Sequence, residues 1–386
     1  MIKETAQQQF IGSSSILYVA FELSNKRWKL GFSVGLGQKV RIRTIDSGDL
    51  IALKSEIALA RKRFHLAEEV PVMSCYEAGR DGFWLHRFLA KEGVRNHIVD
   101  SASIEVNRRK RRVKADKLDV NSLARMLIRY SLGEKKIWSV IRVPSAEDED
   151  GRQLHRELST LEKEKKRTSN RIRGLLATQG IRIKGTLDLA NERLEAIRTW
   201  DKRPLGPGLK ERIRREWAHV VFLKEHILTL TRERANVLRH TDESDEPCDI
   251  RKIRQLQKLR AIGPNGAWVL TKEFFGWRDF KNRRQVGSLS GLTSTHYQSG
   301  DTNFEQGISK AGIVPVRQMA IELAWGWIRY QPRSKLTTWY NERFASAGKK
   351  ARKIGIVAVA RKLLIELWRY LETGVLPEGA ELKIAS

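Results

Sequence analysis

Apolar positions in the first hundred residues recur at two spacings. ILYVAFE (16–22) is a short apolar run closed by an acid. RWKLGFSV and KVRIRTI follow after turn signals, the second alternating apolar with basic residues. These three segments predict strands. Residues 49–65 carry Leu50, Leu53, Ile57, Leu59 and Ala60 among their apolar positions and predict a helix. A strand (Val70 to Tyr76), a helix (Phe83 to Lys91), a short strand (His97 to Val99) and a helix from about Lys117 to Arg129 come next. A meander beside βα units predicts a mixed sheet with helices on its faces.

The pattern changes after residue 146. EDED (147–150) is acidic and is followed by Gly151, which marks a boundary. From there Leu154, Leu158, Leu161, Lys165, Thr168, Ile172 and Leu175 recur in steps of four and three, a helical seam with two polar interruptions. A second long helix over about 209–240 carries Val220, Leu223, Ile227, Leu230 and Val237. TWDKRPLGPG turns the chain between them. This predicts a helical hairpin or an antiparallel coiled-coil insert. Seam residues alone leave open whether each helix faces its own chain or another copy. HTDESDEPCD (240–249) is an acidic linker, and the remainder reads as helical with loops. The expected regions are 1–146, 147–249 and 250–386: an α/β domain, a helical insert and a small, mostly helical C-terminal domain.

Composition narrows the partners. Lys and Arg number 73 against 45 Asp and Glu, a net charge of +28 over 386 residues. Such a charge opposes folding unless an anionic partner neutralises it, and nucleic acid is the partner it implies. A membrane surface fits less well, because the basic residues are spread along the chain. Two cysteines, Cys75 and Cys248, exclude a disulfide scaffold or a Cys-rich zinc module. No signal core or membrane-length apolar run occurs, so we expect a soluble, cytoplasmic, nucleoid-associated protein in a reducing compartment.

Four carboxylates stand out. Glu22 ends the first strand and Glu77 the fourth; Asp116 and Asp119 sit three apart at a helix start, on one face. In the expected sheet the first and fourth strands are parallel neighbours, so Glu22 and Glu77 converge. Acids gathered in this way repel unless a cation neutralises them, and hard oxygen ligands suit Mg²⁺ or Mn²⁺. Singly, each acid reads as a helix cap or a solvated strand end. Just upstream, NRRKRRVKADK supplies Arg108, Arg109, Lys110, Arg111, Arg112 and Lys114 for phosphate contact. Lys165, Lys166, Arg167, Arg171 and Arg173 do the same on the long helix. LRAIGPNGAWVL has the shape of a helix-hairpin-helix whose turn can hold a phosphate, although Gly-Pro turns between helices are common. In HYQSGD, Ser299 precedes a glycine that lets a bulky phosphate approach its hydroxyl; Tyr297 is its local rival. Lys310 and Arg317 follow and could stabilise a transferring phosphate.

The β-β-β-α-β-α-β-α order is that of an RNase H-like domain, and several stretches together resemble a known family. CYEAGRDGFWLHRFLAKEGV, RRVKADKLDVNSLARML, KRTSNRIRGLLATQGI, LRAIGPNGAWVLTKEF, GLTSTHYQSGDTNFEQGISKAG and KKARKIGIVAVARKLLIELWRYLETG resemble, in this order, segments of insertion-sequence transposases of the IS-one-ten (IS-one-eleven-eleven) type. The resemblance implies a resolvase-like nuclease domain, a coiled-coil insert and a serine domain. It implies Mg²⁺-dependent recombination through a phosphoserine, on donor and target DNA chosen by a structured guide RNA. By position, Glu22, Glu77, Asp116 and Asp119 are the acids and Ser299 the nucleophile. One departure is plain: VAFELS carries Glu22 where the family usually has Asp, and the added methylene moves the carboxylate by ~1.5 Å.

Two rival readings use the same residues differently. One is a metal-dependent, junction-resolving nuclease with water as nucleophile. The other is a non-catalytic RNA- or DNA-binding protein whose acids only cap helices. Recombination breaks and rejoins several strands, so a homodimer or homotetramer on DNA is expected.

Overall fold

The computed structural model describes residues 15–79, 82–104, 116–240, 246–299 and 302–384, with backbone only at 102, 116–119, 191, 240, 296–299 and 302–306. The chain divides into two compact units, Met1–Val143 and Pro144–Ser386.

In the first unit, β1 (Leu17–Glu22), β2 (Arg27–Ser33), β3 (Arg41–Asp46), β4 (Val72–Glu77) and β5 (Arg95–Val99) form one mixed sheet in the order β3-β2-β1-β4-β5. The β1–β2–β3 meander is antiparallel, and β4 and β5 add in parallel to β1. Alternation along each strand sorts side chains to two faces. Leu17, Val19 and Phe21, with Trp28, Leu30, Phe32 and Tyr76, form one core with Leu53 and Ala60 of α1 (Leu50–Arg63) and Leu85 and Leu89 of α2 (Trp84–Lys91). Asp49 caps α1 by accepting a 2.8 Å hydrogen bond from the Ala52 amide. The opposite face, Tyr18, Ala20, Met73 and Cys75, is covered by Leu123, Ala124 and Leu127 of α3 (Asp116–Ser131). The expected mixed sheet with helices on both faces is therefore present.

The second unit is mostly helical: α4 (Ala146–Asp150), α5 (Gln153–Ala177), α6 (Asn191–Ala196), α7 (Pro207–His240), α8 (Cys248–Lys258), α9 (Pro264–Leu270), α10 (Arg283–Leu289), α11 (Val314–Tyr330), α12 (Lys335–Tyr340) and α13 (Lys349–Thr373). Helices α5 and α7 pack antiparallel in the same chain. Contacts pair Glu157 with His226 (3.7 Å), Glu164 with His219 (3.3 Å) and Arg171 with Glu216 (2.7 Å), one index falling as the other rises. The seam differs from the expected one at its ends. His155, not Leu154, is buried, because Glu273 supplies a polar partner there. Val237 is 39 % exposed: with Glu157 opposite His226 and α5 starting only at Gln153, the antiparallel partner runs out before α7 reaches it. One apolar cluster (Ile172, Leu176, Leu189, Leu205, Ile213, Val220) closes the turn of this hairpin. A second gathers α8, α9, α11 and α13 around Ile253, Trp268, Trp327 and Leu363.

The segment expected as a loop after residue 291 is instead an antiparallel hairpin, β6 (Ser294–Ser299) with β7 (Thr302–Ile308). Its strands, STHYQS and TNFEQGI, are mostly polar, so no regular apolar alternation announces them.

Candidate active site

Glu22 and Glu77 are the last residues of neighbouring parallel strands. The β1–β4 register runs Ala20 to Cys75 and Phe21 to Tyr76, which brings the two acids to the same level. By parity both belong to the face that packs on α3. Lys29, directly opposite Glu22 in the antiparallel β1–β2 register, lies on that face too. Cross-strand neighbours have Cβ atoms ~5 Å apart, so the cation moderates the acidic sheet end.

Helix α3 runs antiparallel to β1. Its end meets the strand's start, where Tyr18 Oη and Ser131 Oγ are 2.8 Å apart. Its middle crosses the sheet where Leu123 O lies 3.9 Å from the Cys75 thiol. Val120 rests on Gly31, the β2 neighbour of Ala20: a Cβ at Gly31 would come within 2.4 Å of Val120 Cγ1. Four helical residues before Val120 span ~6 Å, and Ala20 to Glu22 spans ~6.6 Å. The backbone thus brings the first turn of α3 toward the carboxyl ends of β1 and β4. Asp116 and Asp119 are the first and fourth residues of that helix, and their side chains lie outside the described residues. Among the described residues no three His, Cys, Asp or Glu side chains form a metal-holding group. Burial, then the nearby Glu77 charge, pushes the Cys75 thiol well above its ordinary value, so it is an inert core group.

Ser299 is the last residue of β6, paired in register with Thr302. It belongs to the second unit and the four acids to the first; its side chain and that of Tyr297 lie outside the described residues. The hairpin's base is held by backbone. Ser309 N donates to Thr293 O (2.8 Å), Lys310 N to Gly291 O (3.2 Å) and Ile313 N to Leu289 O (3.0 Å). Arg317 Nη1 donates to Lys310 O at 2.9 Å, so this guanidinium braces the hairpin base.

Of the basic residues proposed for nucleic acid, Arg108, Arg109, Lys110, Arg111, Arg112 and Lys114 lie outside the described residues. On α5, Lys165 pairs with Glu162 (2.6 Å), Arg171 with Glu216, and Arg173 donates to Gly185 O (2.8 Å). Lys166 and Arg167 are exposed. Sequence reasoning missed Lys29, because a lysine inside an alternating strand reads as solvent-facing. It also missed Asp100, which follows β5 directly at the same sheet end as Glu22 and Glu77; the run HIVD, an apolar strand closed by an acid, was the available signal.

A unit whose mixed sheet ends in acids and a second, mostly helical unit, both in a strongly basic chain, suit enzymes that act on nucleic acid. Residues 253–338 match the family described as Transposase IS116/IS110/IS902 family. Over 381 residues the chain is 39 % identical to "Putative transposase y4rJ" of Sinorhizobium fredii (strain NBRC 101917 / NGR234), covering 95 % of this chain and 94 % of that one. Over 229 residues it is 24 % identical to "Transposase for insertion sequence element IS1328" of Yersinia enterocolitica, covering 58 % and 64 %. The chain belongs to the IS116/IS110/IS902 transposase family. It is an enzyme of DNA transposition, and among its described residues no helix is long and apolar enough to cross a membrane.

Proposed function

We propose that this transposase cleaves and exchanges DNA strands at a divalent-metal site formed by Glu22, Glu77, Asp116 and Asp119, with Ser299 as the nucleophile. The observation that carries this reading is the level register of Glu22 with Glu77, on the sheet face toward which α3 starts. The donor set fits a hard cation, because it consists of carboxylate oxygens alone. Bound Mg²⁺ or Mn²⁺ would stabilise charge on the phosphate and on the oxygens that attack and leave.

The chain's own residues divide the remaining work. Ser299 Oγ attacks phosphorus; an Oγ–P bond forms, one P–O bond to the deoxyribose breaks, and the serine proton leaves for solvent or a base. The departing sugar oxygen takes a proton and becomes a free hydroxyl. Attack by a second strand's hydroxyl on the phosphoserine reverses these bonds and returns the serine. Lys29 limits repulsion between the acids, and Arg317 fixes the base from which β6 projects. In this reading the first unit is RNase H-like and the α5–α7 pair is a coiled-coil insert. The enzyme works in the cytoplasm on nucleoid DNA as a homodimer or homotetramer, with a structured guide RNA choosing donor and target.

The test is a denaturation-resistant protein–DNA adduct. Ser299→Ala should abolish it and Tyr297→Phe should not. Strand cleavage that persists without any adduct would favour a water-using nuclease instead.

A further inference from the structure

The segment that joins α5 to α7 displays a tryptophan. Trp200 is 79 % exposed, and among the described residues from 141 to 220 it is the one large apolar side chain that stands out in solvent. Its backbone is fixed from two sides. Trp200 N donates to Gln179 O at 3.1 Å, just past the end of α5. Gly180 takes a left-handed φ of 77° there, and a Cβ on it would fall 2.8 Å from Trp200 Cβ, so glycine is what lets the two turns meet. On the other side Thr199 N donates to Arg203 O and Lys202 N to Thr199 O, both at 2.9 Å. Lys202 closes this turn with a left-handed φ of 64°, which a lysine keeps only where the surrounding bonds impose it. A loose loop would let the indole fold back onto apolar surface. This pinned turn holds it in water instead.

Charge around the turn selects what can cover the ring. Arg182, Arg198, Lys202 and Arg203 are exposed and lie within three positions of Trp200 or of the Gly180 it rests on. Asp201, the acid of the turn, accepts from Thr199 and Arg203 and is engaged within it. Glu195 nearby is held by Lys210 and Arg214. A second copy of this turn would bring like charges together. A membrane or an apolar protein face would call for more than one apolar side chain. A planar ring among cations suits a nucleobase flanked by its own phosphates, because every base has a face to stack. A paired base within a duplex already has both faces covered by its neighbours; an unpaired base can turn one to the indole.

We propose that Trp200 is a stacking platform for an unpaired base of DNA, of the kind that strand separation exposes. The tip of the α5–α7 hairpin holds the freed base and takes no part in bond breaking. This role rests on the transposase class, and not on the metal or serine assignments.

The experiment irradiates the full chain, without divalent metal, on duplex DNA that carries a bulged 5-iododeoxyuridine, a base that crosslinks to an aromatic ring stacked on it. Peptide mass spectrometry then reads the attachment site. Attachment to Trp200 is expected with the bulged base and should fall about tenfold when the same base is paired. In anisotropy titrations the wild type should prefer the bulged duplex to the paired one by about tenfold. Trp200→Ala keeps the Cβ that rests on Gly180, so the turn is retained. It should abolish the preference while leaving Tm and paired-duplex affinity unchanged, and Trp200→Phe should restore most of the preference. Trp325→Ala, which removes a half-exposed ring on α11, should leave the preference intact. No bulge preference in the wild type, a preference that survives Trp200→Ala, or attachment only at other residues would overturn the proposal. So would an equal loss of affinity for paired and bulged duplexes in Trp200→Ala, or attachment seen only with a bulged RNA duplex.

Discussion

Replacing Glu273 by Gln should destabilise the second unit by about 2–3 kcal/mol near neutral pH. Glu273 is 2 % exposed in the segment that continues α9. Its Oε1 accepts from Arg156 Nε (2.6 Å) and His155 Nε2 (2.9 Å), its Oε2 accepts from Arg156 Nη2 (2.9 Å), and Arg152 Nη1 stands 3.9 Å away. Burial alone would push this carboxyl up. The hydrogen bonds from His155 and Arg156, with the charge on Arg156, outweigh burial and hold it at about 2, against an ordinary 4.5. At about 1.4 kcal/mol per unit that fall corresponds to about 3 kcal/mol, and the half-exposed Arg156 side chain reduces it by screening. Because the folded pKa is depressed, the contribution is complete well above 4.5 and disappears as pH falls through about 2. By about pH 3.5 roughly two fifths of it should be gone. Urea unfolding followed by circular dichroism, with wild type and Glu273→Gln compared at about pH 7 and about pH 3.5, reads both effects. A difference below about 1 kcal/mol at neutral pH, or one that does not shrink on acidification, would refute the reasoning.

Glu77→Gln should abolish cleavage in a gel assay while leaving DNA affinity within about twofold, because the basic surface is untouched. Gly31→Val should cost about 1–3 kcal/mol in urea unfolding, since its side chain must displace Val120, and should also lower cleavage by shifting the start of α3 from the strand ends. Wild-type affinity for duplex DNA should fall steeply with salt, each neutralised phosphate adding about 0.9 to the log–log slope; a flat response would mean that the +28 charge is not a nucleic-acid footprint.

The sheet and two of its acids were legible because local pattern determines them. A short apolar run that ends in Glu22 or Glu77 reads as a strand with an acid at its tip, and period-two alternation then assigns the face. What escaped depends on partners distant in sequence. Glu273 meets His155 across 118 positions, and nothing in TKEFFGW announces a buried ion network. Arg234 in RERAN looks like a solvated helix charge until α9 is packed beside it. Helical spacing favoured Leu154 for the seam over His155, because it scores apolarity and not the availability of a buried acid. The β6–β7 hairpin escaped because polar residues outnumber apolar ones in both STHYQS and TNFEQGI, which leaves no period-two apolar pattern to read.

Four acids, spread over about a hundred residues, are proposed to share one metal site. Fe²⁺ substituted for Mg²⁺ generates hydroxyl radicals that cut the backbone close to the bound ion. In the full chain with ascorbate and peroxide, cuts are expected near Glu22, near Glu77 and across 116–119, all suppressed by excess Mg²⁺ and all lost in Glu77→Gln. Cuts near Glu22 and Glu77 with none at 116–119, or cuts that excess Mg²⁺ does not suppress, would contradict it.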